Sequence, residues 1–338
     1  MWTLHKNAGP DFVGIGITPL PCLVFSNEVI ALLAPGQGAQ SPGMLEPWLA
    51  LEGARDRVAG WSAVTGLDLA RLGTTADAEE IKDTAVTQPL VVVLSLLAAE
   101  ELARRMNLPA DAPVAGHSVG ELTAAAVAGV LTADEAVALA AIRGREMAAA
   151  CALEPTGMSA VLGGDPDEVA AVLTRWGLDP ANRNGAGQIV AAGPIEALAA
   201  LSQDKPDRTR VKPLRVAGAF HTRFMAPAEQ VLTEYATQLT PKDPSRPLLS
   251  NADGEVVSEG TEMLRRLVTQ VTKPVRWDCC MARMATLGVT ATIELPPAGT
   301  LSSLVKRDLK GTLTLALKNP DDLDQVASLV SDHSASPA

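Results

Sequence analysis

Aromatic side chains are scarce in this chain: 338 residues hold one tyrosine, four phenylalanines and five tryptophans. A core must therefore be assembled mainly from alanine, valine and leucine, and little aromatic surface is left for stacking nucleobases. Positive charge is also in deficit. Lysine and arginine number 28 against 39 aspartates and glutamates, a formal charge of -11, which repels phosphate backbones and anionic membrane surfaces. Neither nucleic acid nor a membrane is an expected partner. The chain has no uninterrupted apolar run of about 18 residues or more, so no ordinary membrane span is expected and the chain reads as a soluble, cytoplasmic protein. Cys22, Cys151, Cys279 and Cys280 show no metal-ligand spacing and read as reduced thiols, which leaves neither a disulfide nor a metal site to expect. The segment before Val29 mixes Pro10, Asp11, Pro19 and Pro21 with glycines and lacks the basic start and small-residue cleavage site of a secretory signal. Residues 1–28 are expected to be an unstructured extension.

Against these absences stands the pentapeptide Gly116-His117-Ser118-Val119-Gly120. A serine presented on a sharp strand-to-helix turn needs glycine two residues away on each side, because a larger side chain would crowd the doubled-back chain. Val114-Ala115 before it reads as the end of a buried strand, and Glu121–Val130 after it as a buried helix whose amino end points at Ser118. Unpaired N–H groups there favour developing negative charge, and the Val119 amide is the natural oxyanion donor. The same pentapeptide also fits a plain tight turn, or the nucleophile of a lipase or esterase.

The ordered fold is expected to begin with the apolar run Val29–Ala34, a buried parallel strand, followed by Pro35-Gly36-Gln37-Gly38. Loops at the carboxyl ends of such strands build ligand sites, which places Gln37 where a ligand is expected, with a bare turn as the alternative. Thr132 with Glu135 three residues on is a capping box that opens a helix to about Ala150. That helix carries Arg143 on one stripe with Ala136, Leu139, Ala140 and Met147, where a buried cation would seek an anion; a surface pair with Glu146 is the plainer reading.

From Gly157 onward the pattern becomes strand, helix, strand, strand, helix, strand, with strands at 158–162, near 179–182, at 189–192 and 209–216. This order is that of a ferredoxin-like unit. The expected architecture is α/β: an α/β-hydrolase-like large domain with a mainly parallel sheet from 29–150 and 218–320, carrying a ferredoxin-like subdomain at 151–217. A strand at 291–295 completes the main sheet. Residues 321–338 form a C-terminal segment with one helix, and the last eight residues are expected to be disordered.

A serine hydroxyl needs a base, and the chain has only four histidines. His5 and His333 lie near the ends, and His117 should point away from its neighbour's hydroxyl. His221 is left, where the insert returns to the large domain and could line a cleft. A hydrogen-bonded core histidine is the alternative. A Ser–acid–late-His order is missing, which disfavours an ordinary hydrolase triad.

Six motifs, Gly36-Gln37-Gly38-Ala39-Gln40, Thr87-Gln88-Pro89, Gly116–Glu121, Arg143-Gly144, Gly218-Ala219-Phe220-His221-Thr222 and Gln270-x-x-x-Pro274-Val275-x-Trp277, together resemble the malonyl-CoA:acyl carrier protein transacylases. The resemblance runs from about Val29 to Leu317 and extends to the acyltransferase domains of fatty acid and polyketide synthases. It implies a ping-pong transfer with malonyl-CoA as donor and acyl carrier protein as partner, in a monomer that needs no cofactor. Ser118 would be the nucleophile and His221 its base, oriented by the Gln270 carbonyl, with Gln37 and Val119 as oxyanion amides. Arg143 would fork onto the malonyl carboxylate, with Gln88 and Phe220 also at the substrate, Phe220 in the form that goes with malonyl rather than methylmalonyl selection. Acyl carrier proteins are acidic, which makes Lys306, Arg307 and Lys310 docking candidates. Glu294-Leu295-Pro296-Pro297-Ala298-Gly299 departs from the family's usual Glu-x-Gly-Pro-Gly, and Val29 stands where many members begin. An acyltransferase or thioester hydrolase for another acyl-CoA, and a non-catalytic carrier-binding module, are the alternatives.

Overall fold

The computed structural model describes residues 29–185 and 187–335; the expected extension at 1–28, with His5 and Cys22, lies outside them. Among the described residues the strands in chain order are β1 (Val29–Ala34), β2 (Val114–Gly116), β3 (Thr156–Gly163), β4 (Asp179–Arg183), β5 (Gln188–Pro194) and β6 (Thr209–Pro213). Then follow β7 (Leu248–Leu249), β8 (Val256–Val257), β9 (Val275–Arg276), β10 (Val289–Glu294) and β11 (Leu313–Ala316). They form two sheets, β11-β10-β1-β2-β7-β8 and β6-β3-β5-β4-β9.

The first sheet is parallel except for β7 against β8. Its central strand β1 is apolar throughout because both faces are covered: Ile30, Leu32 and Ala34 enter one core, Ala31 and Leu33 the other. Ala34 lies opposite Gly116 and Leu33 opposite Glu294. The loops after β1, β2 and β10 therefore leave the sheet side by side, at the end where open α/β sheets place ligands. The expected strand at 291–295 is β10, an inner strand with β11 outside it, so it does not close the sheet. Strands of two to four residues such as β7, β8 and β11 carry too little periodicity to be read from sequence.

The second sheet has the strand–helix order β3, Pro166–Arg175, β4, β5, Ile195–Gln203, β6 and is antiparallel across those four strands, a ferredoxin-like unit. Val161, Val169, Leu173, Ile189 and Leu201 close its helical side, while Met158, Val190 and Ala192 on the opposite face join the main core. Two details depart from expectation. The last strand ends at Pro213, three residues short of the expected end, with the Leu214 N–H still donating to the Met158 carbonyl at 2.9 Å, and the sheet takes a fifth strand, β9, parallel to β4 with Val275 opposite Asn182.

Leu90–Leu94 sits inside the helix Thr84–Arg105 and is buried on every side. A helix apolar all round is a core helix. It is long and apolar enough to cross a membrane by composition, and 78% of its apolar window is buried inside the protein. The elbow helix, Gly120–Val127, ends earlier than read, before Gly129 at φ 80°. Thr132 and Glu135 form the capping box of Ala133–Cys151. The last helix, Leu323–Ala335, runs into the segment expected to be disordered, up to the three residues beyond the described part. Cys151, Cys279 and Cys280 are free thiols.

The unusual loop after β10 is organised by its first residue. Glu294 is fully buried, and its carboxylate accepts the N–H groups of Gly299 at 2.9 Å, Leu301 at 2.9 Å and Ser302 at 2.8 Å. These are open donors at the start of helix Thr300–Asp308, and a carboxylate at a helix amino end is doubly suited to them. Replacing Glu294 with alanine is expected to lower the unfolding free energy by about 3–5 kcal/mol, from charge-assisted bonds lost and donors left buried. Urea denaturation checks this; a loss under about 1 kcal/mol would contradict the capping role.

Candidate active site

Ser118 occupies the turn between β2 and helix Gly120–Val127 with φ 54°, a left-handed backbone that side chains other than glycine rarely adopt. Both flanking glycines are required. A Cβ on Gly116 would strike the backbone of Gly120 and Glu121, and one on Gly120 the carbonyl of Ala34. The turn thus presses directly against the end of β1, where the His117 N–H donates to the Ala34 carbonyl at 3.0 Å.

The structure brings Ser118 and His221 together across 103 residues of sequence: Ser118 Oγ lies 2.7 Å from His221 Nε2. His221 Nδ1 lies 2.9 Å from the Gln270 carbonyl oxygen. A carbonyl can only accept, so Nδ1 carries the proton and Nε2 is left free to receive one from the serine. Burial, then the nearby Arg143 charge, lowers the His221 pKa to about 3. The imidazole is therefore a neutral base at physiological pH. His117 points away from the hydroxyl, with Nε2 2.9 Å from Asn184 Oδ1 and its ring edge-on to Trp277 at 5.6 Å.

Arg143 is 3% exposed, and the surface pair with Glu146 does not form, since Glu146 is bound by Arg145 at 2.8 Å. Its guanidinium instead donates to Gln88 Oε1 at 2.5 Å, Gln270 Oε1 at 2.8 Å and Ser118 Oγ at 3.3 Å. Gly144 explains the adjacent glycine of that motif. A Cβ there would lie 2.7 Å from the Thr84 carbonyl and 3.3 Å from the Gln88 Cβ, so only glycine lets helix Ala133–Cys151 bring Arg143 against Gln88. Burial pulls the Arg143 pKa down to about 10, with the Glu121 charge opposing. Among the described residues no carboxylate binds this cation directly, and its guanidinium fork can turn to an anion.

A cavity of about 560 Å³ between the two sheets is lined by Gln37, Gln88, Ser118, Val119, Arg143, Phe220 and His221, with Met158, Asn182 and Val190 of the second sheet opposite. Gln270 reaches the site from behind. Neither the Gln37 nor the Val119 amide donates a hydrogen bond among the described residues. The Ser118 amide does, to Asn251 Oδ1 at 2.8 Å. Lys306, Arg307 and Lys310 are exposed, just past Thr300, Leu301 and Leu304, which line the same cavity. Among the described residues no three His, Cys, Asp or Glu side chains gather as a metal site.

Sequence reading assigned no role to Asn251, Asn184 or Glu121. Glu121 is 1% exposed, and its carboxylate accepts the Asn251 N–H at 2.6 Å and the Gln270 side-chain amide. Burial raises its pKa to about 7, opposed first by the Asn251 N–H and then by the Gln270 amide. The reading of Glu121–Val130 as a buried helix gave no partner to its one carboxylate; Asn251, in Ser250-Asn251-Ala252-Asp253-Gly254, reads as a turn residue.

Residues 32–331 match the family of the acyl transferase domain. The chain belongs to that family. This acyltransferase is 58% identical over 302 residues to the malonyl CoA-acyl carrier protein transacylase of Mycobacterium tuberculosis, covering 89% of this chain and 100% of that one. The crystal structure of MCAT from the same organism superposes with a TM-score of 0.86 at 57% identity, again over 89% and 100% of the two chains. A malonyl-transacylase solved in complex with its type II PKS acyl-carrier protein superposes at 0.82 with 28% identity, over 89% of this chain and 100% of that one.

The His221 environment gives the acyltransferase a pH signature. With the folded pKa below the ordinary 6.5, the proton-accepting imidazole persists as pH falls through 6.5 and is lost only toward 3. Glu121, with a pKa of about 7, titrates in the same range, so the second-order rate of fluorophosphonate labelling at Ser118 is expected to stay flat from about pH 8 to about pH 5 in a Glu121→Gln background. Replacing Arg143 with glutamine removes a repelling cation, makes protonation easier and should move the falling limb to higher pH. A limb centred near 6.5 in that background would contradict the burial argument.

Proposed function

We propose that this acyltransferase takes a malonyl group from malonyl-CoA onto Ser118 and passes it to the phosphopantetheine thiol of an acyl carrier protein. The observation that carries the reading is one oxygen with two neighbours: Ser118 Oγ lies 2.7 Å from the His221 base and 3.3 Å from the Arg143 guanidinium. Nucleophile, base and carboxylate receptor share one cavity. The names of the relatives and the carrier-protein complex support the same substrates and partner.

In the first half-reaction His221 Nε2 takes the serine proton as Oγ attacks the thioester carbon. The oxygen's new charge falls to the Val119 and Gln37 amides. The C–S bond breaks, and CoA leaves as a thiol with the proton held by His221. In the second half the carrier's thiol returns a proton to His221, attacks the ester and releases the serine. The Gln270 carbonyl keeps the imidazole in the tautomer that accepts at Nε2. The substrate carboxylate replaces the glutamine oxygens as Arg143's partner, a bidentate contact an acetyl group cannot make. The Phe220 wall disfavours an added methyl by about 1–3 kcal/mol.

On this reading the acyl chemistry calls on no cofactor, and the enzyme works as a cytoplasmic monomer supplying fatty acid or polyketide synthesis. Residues 29–150 and 218–320 form its acyltransferase domain and 151–217 its insert. Lys306, Arg307 and Lys310 meet the acidic carrier.

Intact-mass analysis after incubation with malonyl-CoA alone tests the proposal. A malonyl increment is expected on the wild type and none on Ser118→Ala. Arg143→Ala should lose at least about 10²-fold of the malonyl rate while leaving the slow acetyl rate little changed, as expected for two charge-assisted bonds. No adduct on folded protein would overturn the reading; equal labelling by acetyl-CoA, indifferent to Arg143, would favour an acyltransferase or hydrolase for another acyl group.

A further inference from the structure

A left-handed backbone at a residue with a side chain persists only where its surroundings hold it; at Ser118 the Gln270 side-chain amide donates to the carbonyl at 3.1 Å, and Asn251 holds the N–H. Asn251 follows β7, the strand that pairs with β2, and is fully buried. Its side chain brackets the elbow from both ends: Oδ1 accepts the Ser118 N–H at 2.8 Å, and Nδ2 donates to the Gly116 carbonyl at 2.7 Å. Its own backbone is pinned in turn, with the N–H on Glu121 Oε1 at 2.6 Å and the carbonyl accepting the Arg276 N–H at 2.8 Å. The carboxamide thus offers one acceptor and one donor to backbone groups two residues apart, a pattern that aspartate, serine or leucine at this position could not supply at neutral pH.

Two consequences follow for chemistry at Ser118. With its amide occupied, Ser118 is not an oxyanion donor, and a carbonyl attacked by Oγ meets the Val119 and Gln37 amides instead. The Glu121 carboxylate that anchors Asn251 also receives the Gln270 side-chain amide, while the Gln270 carbonyl holds His221. Nucleophile and base are therefore placed from one buried carboxylate, through Asn251 on one side and Gln270 on the other.

We infer that Asn251 is a positioning residue for acyl transfer: it sets the Ser118 backbone so that Oγ meets His221 Nε2, without touching the acyl group. The inference rests on Ser118 being the acylated residue, which the wild-type mass increment tests by itself; the Asn251 variants are then compared with that wild type under single-turnover acylation by malonyl-CoA. Asn251→Ala lacks donor and acceptor and is expected to acylate about 10²-fold more slowly, as misplaced reacting groups do. Its KM for malonyl-CoA and its malonyl-over-acetyl preference should stay within about threefold, because Arg143 and Gln88 are untouched. Asn251→Asp supplies the reading that general destabilisation would not reproduce. Ionised, it has no donor for the Gly116 carbonyl; protonated, its carboxyl regains one donor and one acceptor in the asparagine's place. Glu121, which accepts the Asn251 N–H and has a pKa of about 7, titrates in both proteins, so the ratio of the variant's acylation rate to that of the wild type is expected to rise as pH falls from about 8 to about 5. This variant decides the matter where Asn251→Ala fails to fold. An alanine variant within about threefold of wild type in acylation rate would overturn the inference, as would an aspartate variant whose rate follows the wild-type profile.

Discussion

Two opposite charges lie buried in this site without touching. The Arg143 guanidinium and the Glu121 carboxylate are linked through the Gln270 side chain, whose oxygen accepts from Arg143 and whose nitrogen donates to Glu121. A direct salt bridge would have satisfied the arginine and left it unavailable to a substrate. The interposed amide allows both charges to be buried with hydrogen bonds while the cation is held by neutral oxygens that an incoming carboxylate can replace. Much of the site follows from that arrangement. The same glutamine supplies the carbonyl that fixes the His221 tautomer, and the same glutamate anchors Asn251 behind the elbow.

What could be read in advance followed from residues that carry local rules. Glycines at 116 and 120 announce an elbow because backbone atoms occupy the space of any Cβ. Thr132 and Glu135 announce a helix start, and β1 shows its buried status by having no polar residue. The insert was legible because its strands and helices alternate at full length. What escaped reading depends on partners distant in sequence. Asn251 lies 133 residues from the amide it accepts, and nothing in its neighbours signals that contact. The pair β4–β9 joins a five-residue strand to one of two residues, too short for alternation to register. Glu294 keeps the family's glutamate while Pro296 and Ala298 depart from its glycines, and nothing in the local sequence signals the three N–H groups that its carboxylate accepts.

The ferredoxin-like sheet is more than an appendage, since its inner face supplies Met158, Asn182 and Val190 to the cavity wall. That face could not be polar throughout, because its other residues enter the main core. The sheet therefore does two tasks along single strands: Val190 in β5 both packs against the core and borders the reaction chamber. Residues on such a strand couple the fit of the acyl group to the stability of the whole chain.

The fifth strand of that sheet has a mechanical meaning. β9 begins five residues after Gln270 and is hydrogen-bonded to β4; the turn after β4 carries Asn184, which holds His117 beside Ser118. The insert is thus tied to the large domain through β9 and to the elbow through His117, in addition to its two covalent connections. A plate fixed at several corners resists swinging as a jaw. The width of the mouth is set by the bulk of the side chains that line it, so a change in acyl length tolerated here would come from resizing Phe220 or Met158 and not from a hinge.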